Sequence, residues 1–453
     1  MTHHAVRIAR GDPIHPDALT PGSVTATLDN GTAVRALRRD RLPIVDVLLV
    51  LPAGAATDHC DTAGRAQLTA ELIDAGTTSR SQIDVATGFD ALGARLSIHT
   101  HWDCIGISLQ VLPANLTAAL ELLADVVQRA SFPQAEFERG KAEQLATILQ
   151  DLDDPESLAA SAIARAIFGA DHIYGLPRGG TRATVEGLGR DALVQCHAAG
   201  YRPTGAHAFI VGDVEPDTAI RELAGAFVGW HDRDLRRSVT LSPTARPARR
   251  IHLVDRPGAP QSELRLGTIG AARSSSDYFP LVVLNTILGG AFTSRLNTRL
   301  REEGGYTYGA FSAFSFRQYP GPFVVGTAVF SDDTGRALSE SLEEIDRLLQ
   351  EPVPAAELDR TKKYLTLGLA RGFERNGGIA ARLADVDLYG LGDDYWERYA
   401  ERIEAVGAET IMESARRYLD PEGMVVAIVG DAATVRSQIE SLGMAPVIDT
   451  TSE

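Results

Sequence analysis

The sequence predicts an α+β protein with two homologous domains, each a mostly antiparallel sheet backed by helices. Two observations carry this prediction. Segments of the chain repeat at a nearly constant offset, and each half shows the same succession of strand-like and helix-like runs. The length of 453 residues agrees with it, because a single hydrophobic core rarely serves so long a chain.

The repeat rests on two pairs of matching segments. Residues 133–141 match residues 354–362 at an offset of 221, and residues 201–213 match residues 418–431 at an offset of 217. Because this period is far too long for a solenoid, it indicates a duplicated domain. We predict an N-terminal extension 1–22, a first domain 23–232, a polar, arginine-rich linker 233–250, a second domain 251–440 and a C-terminal tail 441–453.

Hydrophobic periodicity assigns the elements within each half. In the first half the predicted strands are 23–29 and 33–37 around the turn signal Asn30-Gly31, then 45–51, a pair within 94–111, and 206–211. The predicted helices of this half are 62–74, 116–130 and 134–152, and Gly76 would end the first of them. In the second half the predicted strands are 262–268, 307–314, 322–330 and 424–429, and the predicted helices are 276–288, 333–350 and 355–373.

Composition narrows the class of protein. Hydrophobic residues make up 44% of the chain and charged residues 23%, which is typical of a soluble globular protein. A formal charge of −16 argues against binding to nucleic acids or anionic membranes and permits cationic partners. The three scattered cysteines predict no disulfide framework. No signal peptide or membrane-spanning run is found, so we expect a cytoplasmic protein, or a periplasmic one if a leader precedes this sequence.

One segment, residues 284–308, concentrates the features that suggest function. It contains Gly289-Gly290, which suit a tight turn between helices, and a predicted arginine-rich helix 292–303 that Gly304-Gly305 would end. The chain is then predicted to enter a strand through Tyr306 and Tyr308, whose side chains would share one face. Taken alone, this pattern favours a solvated helix followed by a core tyrosine.

The same segment resembles the signature of the pitrilysin/insulinase-like (M16) metallopeptidases. In that family an arginine and a tyrosine seven residues apart bind substrate and polarise its scissile carbonyl, and the matching positions here are Arg301 and Tyr308. The resemblance implies a second motif, His-x-x-Glu-His, on a helix of the first half. Two histidines one turn apart hold zinc there, and the glutamate activates the bound water.

The first half keeps the frame of that helix but not its ligands. Residues 64–77 resemble the family's framing sequence, with Gln67 and Glu71 at the histidine positions and Ala70 at the general base. A neutral amide is a poor zinc ligand, and alanine cannot accept a proton. Downstream, residues 141–154 offer Glu143 and several aspartates but no histidine. The sequence therefore predicts a degenerate zinc motif and no metal bound by this chain.

The other histidines give weaker signals. His99 and His101 lie two apart on a predicted strand, so both would face one side; a metal pair is possible, but a polar sheet face is the simpler interpretation. The loop cluster His59-Cys60-Asp61, just before the degenerate helix, is best interpreted as surface residues.

Taken together, the resemblance implies the zinc-free, substrate-binding subunit of a heterodimeric, two-chain M16 zinc endopeptidase. Arg301 and Tyr308 would complete a site whose zinc belongs to a partner bearing His-x-x-Glu-His, and the two chains would close like a clam shell around an unfolded peptide. Alone, the chain would be inactive. The alternative is a catalytically inert structural or binding protein, like the zinc-free M16-like core subunits of respiratory complexes. A third, less favoured option is an active homodimer with unusual ligands.

Overall fold

The computed structural model describes residues 22–232, 241 and 247–451. These residues form two six-stranded sheets with helices, so the predicted α+β class with two similar domains is confirmed. The predicted N-terminal extension, except for its last residue, and most of the predicted linker lie outside the described residues. Within the described ranges, no helix is long and apolar enough to cross a membrane.

The first sheet has the strand order β1-β2-β6-β3-β5-β4. Only the β2–β6 pair is parallel among its described pairs. Its strands are β1 (Val24–Thr27), β2 (Ala33–Arg38), β3 (Val45–Leu51), β4 (Arg95–Thr100), β5 (Ile105–Val111) and β6 (His207–Gly212). The helices of this half are α1 (Arg65–Glu71), α2 (Gln82–Ala91), α3 (Leu116–Arg129), α4 (Gln134–Asp153), α5 (Pro155–Phe168), α6 (Arg182–Glu186), α7 (Arg190–Gly200) and α8 (Pro216–Ala226).

The second sheet has the order β12-β7-β11-β8-β10-β9, with β7 parallel to both of its neighbours. Its strands are β7 (Ile251–Asp255), β8 (Gln261–Ile269), β9 (Ala310–Phe314), β10 (Pro322–Phe330), β11 (Val425–Gly430) and β12 (Val447–Asp449). The helices are α9 (Tyr278–Asn285), α10 (Thr334–Gln350), α11 (Ala355–Gly368), α12 (Asn376–Tyr389), α13 (Tyr399–Glu404), α14 (Ala408–Tyr418) and α15 (Ala432–Ser441). Two π-helical segments, Thr286–Gly290 and Asn297–Glu303, lie between α9 and β9. The edge strand β12 falls within the segment predicted as a tail.

The duplication extends to individual side-chain contacts. Pro133 and Pro354 occupy the N-cap positions of α4 and α11 with almost identical backbone angles. Lys141 on α4 donates to the carbonyl oxygen of Glu186, at the end of α6, at 2.8 Å. Its counterpart Lys362 on α11 donates to the carbonyl oxygen of Glu404, at the end of α13, at 2.7 Å. Both lysines therefore cap the C-terminus of a helix whose terminal carbonyls lack intrahelical partners.

The two halves exchange one helix each. Helix α5 of the first half packs on β8 and β11 of the second sheet, while α12 of the second half packs on β3 and β6 of the first sheet. Ile163 on α5 belongs to the same buried cluster as Val425 on β11. Likewise, Leu383 on α12 shares a cluster with Phe209 on β6. Each sheet thus buries part of one face against a helix from the other half.

Candidate functional site

The degenerate helix α1 has a tightly specified start. Gly64 has a φ of +93°, and a Cβ there would lie 2.4 Å from the carbonyl oxygen of Gly179, so no larger residue fits. The carboxylate of Asp58 accepts hydrogen bonds from the Ala66 amide at 3.0 Å and from the Arg65 guanidinium at 3.1 Å. Asp58 and Arg65 are both buried, so this ion pair fixes where the helix begins and which way it points.

The positions predicted to correspond to the zinc motif interact with one another. The side-chain amide of Gln67 donates to the Glu71 carboxylate at 2.9 Å, one helical turn away. Ala70 lies in the hydrophobic core together with Ile73. The face of α1 that would present ligands therefore carries an internally satisfied amide–carboxylate pair.

Helix α4 crosses α1 and sets the electrostatics of Glu71. Loss of surrounding water raises the pKa of Glu71; the hydrogen bond from Gln67 opposes this rise, and the negative charge of Glu143 on α4 adds to it. The side-chain amide of the buried Gln144 donates to the carbonyl oxygens of Gly64 at 3.2 Å and Gly179 at 2.6 Å. These bonds hold α4 against the start of α1.

This set of donors does not fit a zinc ion. Gln67 offers a neutral amide, Ala70 offers a methyl group, and Glu71 offers one carboxylate, whereas zinc sites use several thiolate, imidazole or carboxylate ligands. Across the part of the chain that the structure describes, no group of three or more His, Cys, Asp or Glu is placed to hold a metal ion. That these three residues are the counterparts of the family's motif stays a prediction.

The glycine pair before the arginine-rich segment is explained by packing. Gly289 and Gly290 lie in the π-helical turn that continues α9, rather than in a turn between two helices as predicted. A Cβ on Gly289 would approach the Ser312 amide nitrogen on β9 to 2.3 Å. The glycine therefore allows this turn to lie directly on the edge strand.

The arginine-rich segment is π-helical over Asn297–Glu303 instead of an α-helix beginning at residue 292. Its end falls at Gly304-Gly305 as predicted, with a φ of +71° at Gly305. The Asn297 side chain donates to the Ala310 carbonyl at 2.8 Å and accepts from the Ala310 amide at 3.0 Å. This two-way bond fixes the loop 304–309 between the helix and β9.

The predicted shared strand face of Tyr306 and Tyr308 is wrong. Both residues precede β9, which begins only at Ala310, because the amide and carbonyl of Gly309 are bonded to the hydroxyls of Thr307 and Thr327 rather than to the β10 backbone. Tyr306 is 4% exposed and donates its hydroxyl to Glu340 at 3.1 Å, whereas Tyr308 is 89% exposed. The loop thus buries one tyrosine and presents the other to solvent.

Arg301 is held near this loop by an aromatic ring that the sequence analysis did not single out. Its guanidinium lies 4.5 Å from the centre of the Phe292 ring, and Phe292 is 68% exposed. Its Nε is 3.6 Å from the Glu302 carboxylate. The only sequence signal for Phe292 is an apolar residue directly after a glycine-rich turn. Within the described residues, no hydrogen bond or ion pair joins Arg301 or Tyr308 to Gln67 or Glu71.

The remaining histidines fall into two places. His99 on β4 and His101, directly after this strand, line one cavity of about 200 Å³, so they do face the same side. His59 Nδ1 lies 2.8 Å from the Asp61 carboxylate in an exposed position, as expected for surface residues.

Comparison with known proteins gives consistent matches. The family profile described as "Insulinase (Peptidase family M16)" matches residues 35–172, and the one described as "Peptidase M16 inactive domain" matches residues 187–365. A Mycobacterium tuberculosis protein named as an uncharacterized zinc protease is 28% identical over 392 residues, covering 86% of this chain and 89% of the relative.

Solved structures share the fold over nearly the whole chain. The crystal structure of a peptidase M16 inactive domain from Pseudomonas fluorescens has a TM-score of 0.84 and 25% identity, covering 90% of this chain and 98% of the other. A chain of complex III2 from Candida albicans has a TM-score of 0.76 and 16% identity, covering 94% of this chain and all (100%) of the other. The second likeness concerns the fold alone.

Proposed function

Because the chain belongs to the M16 peptidase family, we propose that it is the zinc-free, substrate-binding subunit of a heterodimeric M16 zinc endopeptidase. In this proposal the metal and the general base belong to a partner chain with an intact His-x-x-Glu-His motif. This chain contributes Arg301 and Tyr308 to the shared site.

One observation carries the proposal: Tyr308 is 89% exposed on a loop that is otherwise firmly anchored. Its neighbour Tyr306 is buried and hydrogen-bonded to Glu340, as a purely structural tyrosine would be. A tyrosine with a hydroxyl free in solvent, on a loop that Asn297 holds in place, is preorganised to donate to a group outside this chain.

The chemistry of the two residues suits peptide hydrolysis. A tyrosine hydroxyl donates a hydrogen bond to the oxyanion that forms at the scissile carbonyl, and a guanidinium binds a peptide carbonyl through its fixed N–H groups. The Phe292 ring supports one face of the Arg301 guanidinium without occupying its N–H groups. Arg301 therefore keeps donors available for a ligand.

The substrate would bind in extended form along a sheet edge. The start of β9 cannot serve, because Asn297 already bonds the amide and the carbonyl of Ala310 there, so the peptide would add to a sheet edge whose backbone groups are free. A peptide that adds to such an edge forms backbone hydrogen bonds irrespective of its sequence. Unfolded peptides are accordingly the proposed substrate class.

The α1 helix supports the assignment of the metal to another chain. Gln67 and Glu71 satisfy each other at 2.9 Å, and Ala70 provides no base. We therefore expect no hydrolysis by this chain alone, with or without added zinc. Cleavage by the purified chain that a chelator abolishes would instead support an active homodimer.

The decisive experiment uses the chain assembled with its zinc-motif partner. We expect Tyr308→Phe to lower kcat by about 100-fold, the effect typical of losing one oxyanion donor, without changing assembly. Tyr306→Phe is the matched control, because it removes a buried hydroxyl from the same loop and should leave kcat near the wild-type value. Equal kcat for the Tyr308→Phe variant and the wild type would overturn the role of Tyr308.

The second candidate is a catalytically inert structural or binding protein. The absence of both a metal-ligand set and a base on α1 favours it as much as it favours the proposed subunit. Affinity purification from the native cell with mass spectrometry separates the two. A near-stoichiometric chain of similar length with His-x-x-Glu-His supports the peptidase; an unrelated assembly supports the scaffold.

A further inference from the structure

A cavity at the boundary between the halves is not used by the proposed function. Its volume is about 200 Å³. It lies on the face of the first sheet that α12 only partly covers, and its polar lining comes from Asp46 on β3, Ser108 on β5, and the two histidines His99 and His101.

The cavity exists because a strand residue there has no side chain. Gly106 lies on β5, and the nearest side chains to a Cβ added to it would be Leu48 at 3.7 Å and His101 at 3.8 Å, which are ordinary contacts. By contrast, the residue at the same register position of the second sheet is Val324, which carries a side chain. The space above Gly106 is therefore open, whereas the corresponding space in the second sheet holds the Val324 side chain.

At the equivalent place in the second half, the side chain of Arg265 occupies the space where the cavity would lie. Leu48 pairs with Phe209 on β6, and Arg265 pairs with Ala427 on β11; both partners lie three residues before the glycine that ends the strand. Leu48 and Arg265 are therefore equivalent positions. By the same registers, Asp46 corresponds to Glu263, and Ser97 corresponds to Phe311.

The Arg265 guanidinium is surrounded by carboxylates and an aromatic ring. It is 2.8 Å from the Glu263 carboxylate and 3.9 Å from Glu156, the second residue of α5. The Phe311 ring lies 5.5 Å from it, and Arg265 is only 3% exposed. A buried cation here is thus matched by carboxylates and covered by an aromatic ring.

The first half has a carboxylate at the equivalent place, Asp46, but it has no cation corresponding to Arg265 and no aromatic ring corresponding to Phe311. Leu48 replaces Arg265, Ser97 replaces Phe311, and Gly377, the second residue of α12, replaces Glu156. Asp46 accepts a hydrogen bond from Gln110 at 2.9 Å but has no cationic group within ion-pair distance in the described part of the chain. Burial raises the pKa of Asp46, and hydrogen bonds from the neutral side chains of Gln110 and Asn376 only partly oppose this rise.

We propose that this cavity binds the guanidinium or ammonium group of an arginine or lysine side chain in a bound peptide. The ligand would supply the cation that Arg265 supplies in the second half. Burial, together with the positive charge of Arg178, lowers the pKa of His101, so its neutral imidazole is available as an acceptor. The formal charge of −16 favours the approach of cationic peptides.

The test uses two small probes on the full chain, acetyl-arginine amide and its neutral isostere acetyl-citrulline amide, titrated by NMR. We expect the arginine probe to bind at the cavity and the citrulline probe to bind at least about tenfold more weakly, since a charge-assisted bond is lost. Asp46→Asn should weaken the arginine probe to the same degree. Asp90→Asn, an exposed carboxylate on α2, is the control and should change nothing.

A second variant tests whether an arginine at position 48 can occupy the cavity as Arg265 occupies the equivalent place in the second half. Leu48→Arg should place a guanidinium beside Asp46 within the chain and abolish binding of the arginine probe, with circular dichroism confirming the fold. Equal affinity for both probes, or wild-type affinity in a folded Asp46→Asn variant, would overturn the proposal.

This inference rests on the proposed function only in taking a peptide as the natural ligand. A matched pair of fluorescent peptides, one with arginine and one with glutamine at the same position, separates the two ideas. Binding without preference for arginine overturns the cavity assignment and leaves the peptide-binding role standing. Selective binding of the arginine probe without binding of either peptide supports the cavity and contradicts that role.

Discussion

The two halves share a scaffold and differ in what they place on it. Both halves share the order of five strands, the proline caps of α4 and α11, the lysine contacts of Lys141 and Lys362, and the exchanged helices. The sixth strand differs, because β1 is antiparallel to β2 whereas β12 is parallel to β7. The polar groups also differ. The first half has a buried ion pair at α1 and an open cavity beside Asp46, while the second half has an exposed tyrosine loop and a filled site at Arg265.

This difference shows which contacts a duplicated fold can change independently. Strand pairing and the exchanged helices are constrained by both halves at once, because each sheet needs the other half's helix to cover it. Residues on the uncovered sheet faces and in the loops before the edge strands have no such reciprocal constraint. Function can therefore diverge there without loss of the scaffold.

The largest expected effect comes from removing the helix exchange that the two halves share. We expect a fragment of residues 22–232 to lack cooperative unfolding, because without α12 the apolar residues Phe209 and Val211 on its sheet lose their cover. Thermal unfolding followed by circular dichroism would measure this. A sharp transition near the Tm of the full chain would show that the halves are independent and the exchange dispensable.

The next effect tests a feature of the first half alone. Asp58→Ala should lower the free energy of unfolding by about 3–5 kcal/mol, because it leaves Arg65 buried without a counter-charge. Asp277→Ala is the matched change before α9, where the partner Arg417 is exposed, and should cost much less. Urea unfolding at pH 7 compares them; equal losses would contradict the asymmetry between the two helix starts.

The smallest effect is a difference in pH dependence between α3 and α10. Burial alone would raise the pKa of Asp125, but hydrogen bonds from Arg129, Thr77 and Arg80 outweigh it and hold that pKa below its usual value. Its contribution to stability is therefore present above about pH 4 and is lost as the pH falls further. Urea midpoints between pH 7 and pH 3 should fall less steeply in Asp125→Asn than in the wild type.

Asp346 on α10 provides the opposite case as a control. Burial raises its pKa, so its ionised form opposes folding and the protein gains from its protonation as the pH falls. Asp346→Asn should therefore keep the acid-side loss of stability seen in the wild type. If the urea midpoint of Asp346→Asn fell less steeply with pH than that of the wild type, the acid-side loss of stability would come from α10 and not from Asp125 on α3.

Much of the fold was predictable because its signals are local. The strand predicted at 45–51 is β3, the helix predicted at 134–152 is α4, and the repeated segments occupy equivalent places in the two halves. Apolar runs, helix-capping prolines and strand-ending glycines act within a few residues, so they can be recognised without knowledge of the tertiary structure.

The features that escaped prediction depend on distant residues. The strand expected from residue 307 starts at Ala310 because the hydroxyls of Thr307 and of the distant Thr327 bond the backbone of Gly309. The exchange of α5 and α12 and the match between Asp46 and Glu263 need the strand registers of both sheets. The helix α12 begins with Asn376 and two glycines, which give little helical signal before the packing is known.

The exchange of α12 also determines when the protein can fold during synthesis. The first sheet is complete in sequence at Gly212, yet the helix that covers part of it ends at Tyr389. The ribosome must therefore add more than 150 residues, while apolar strand surface stays uncovered, before that sheet can close. Because contacts between residues far apart in sequence form slowly, we expect this step to limit the folding rate and to leave apolar strands open to aggregation until α12 has been made.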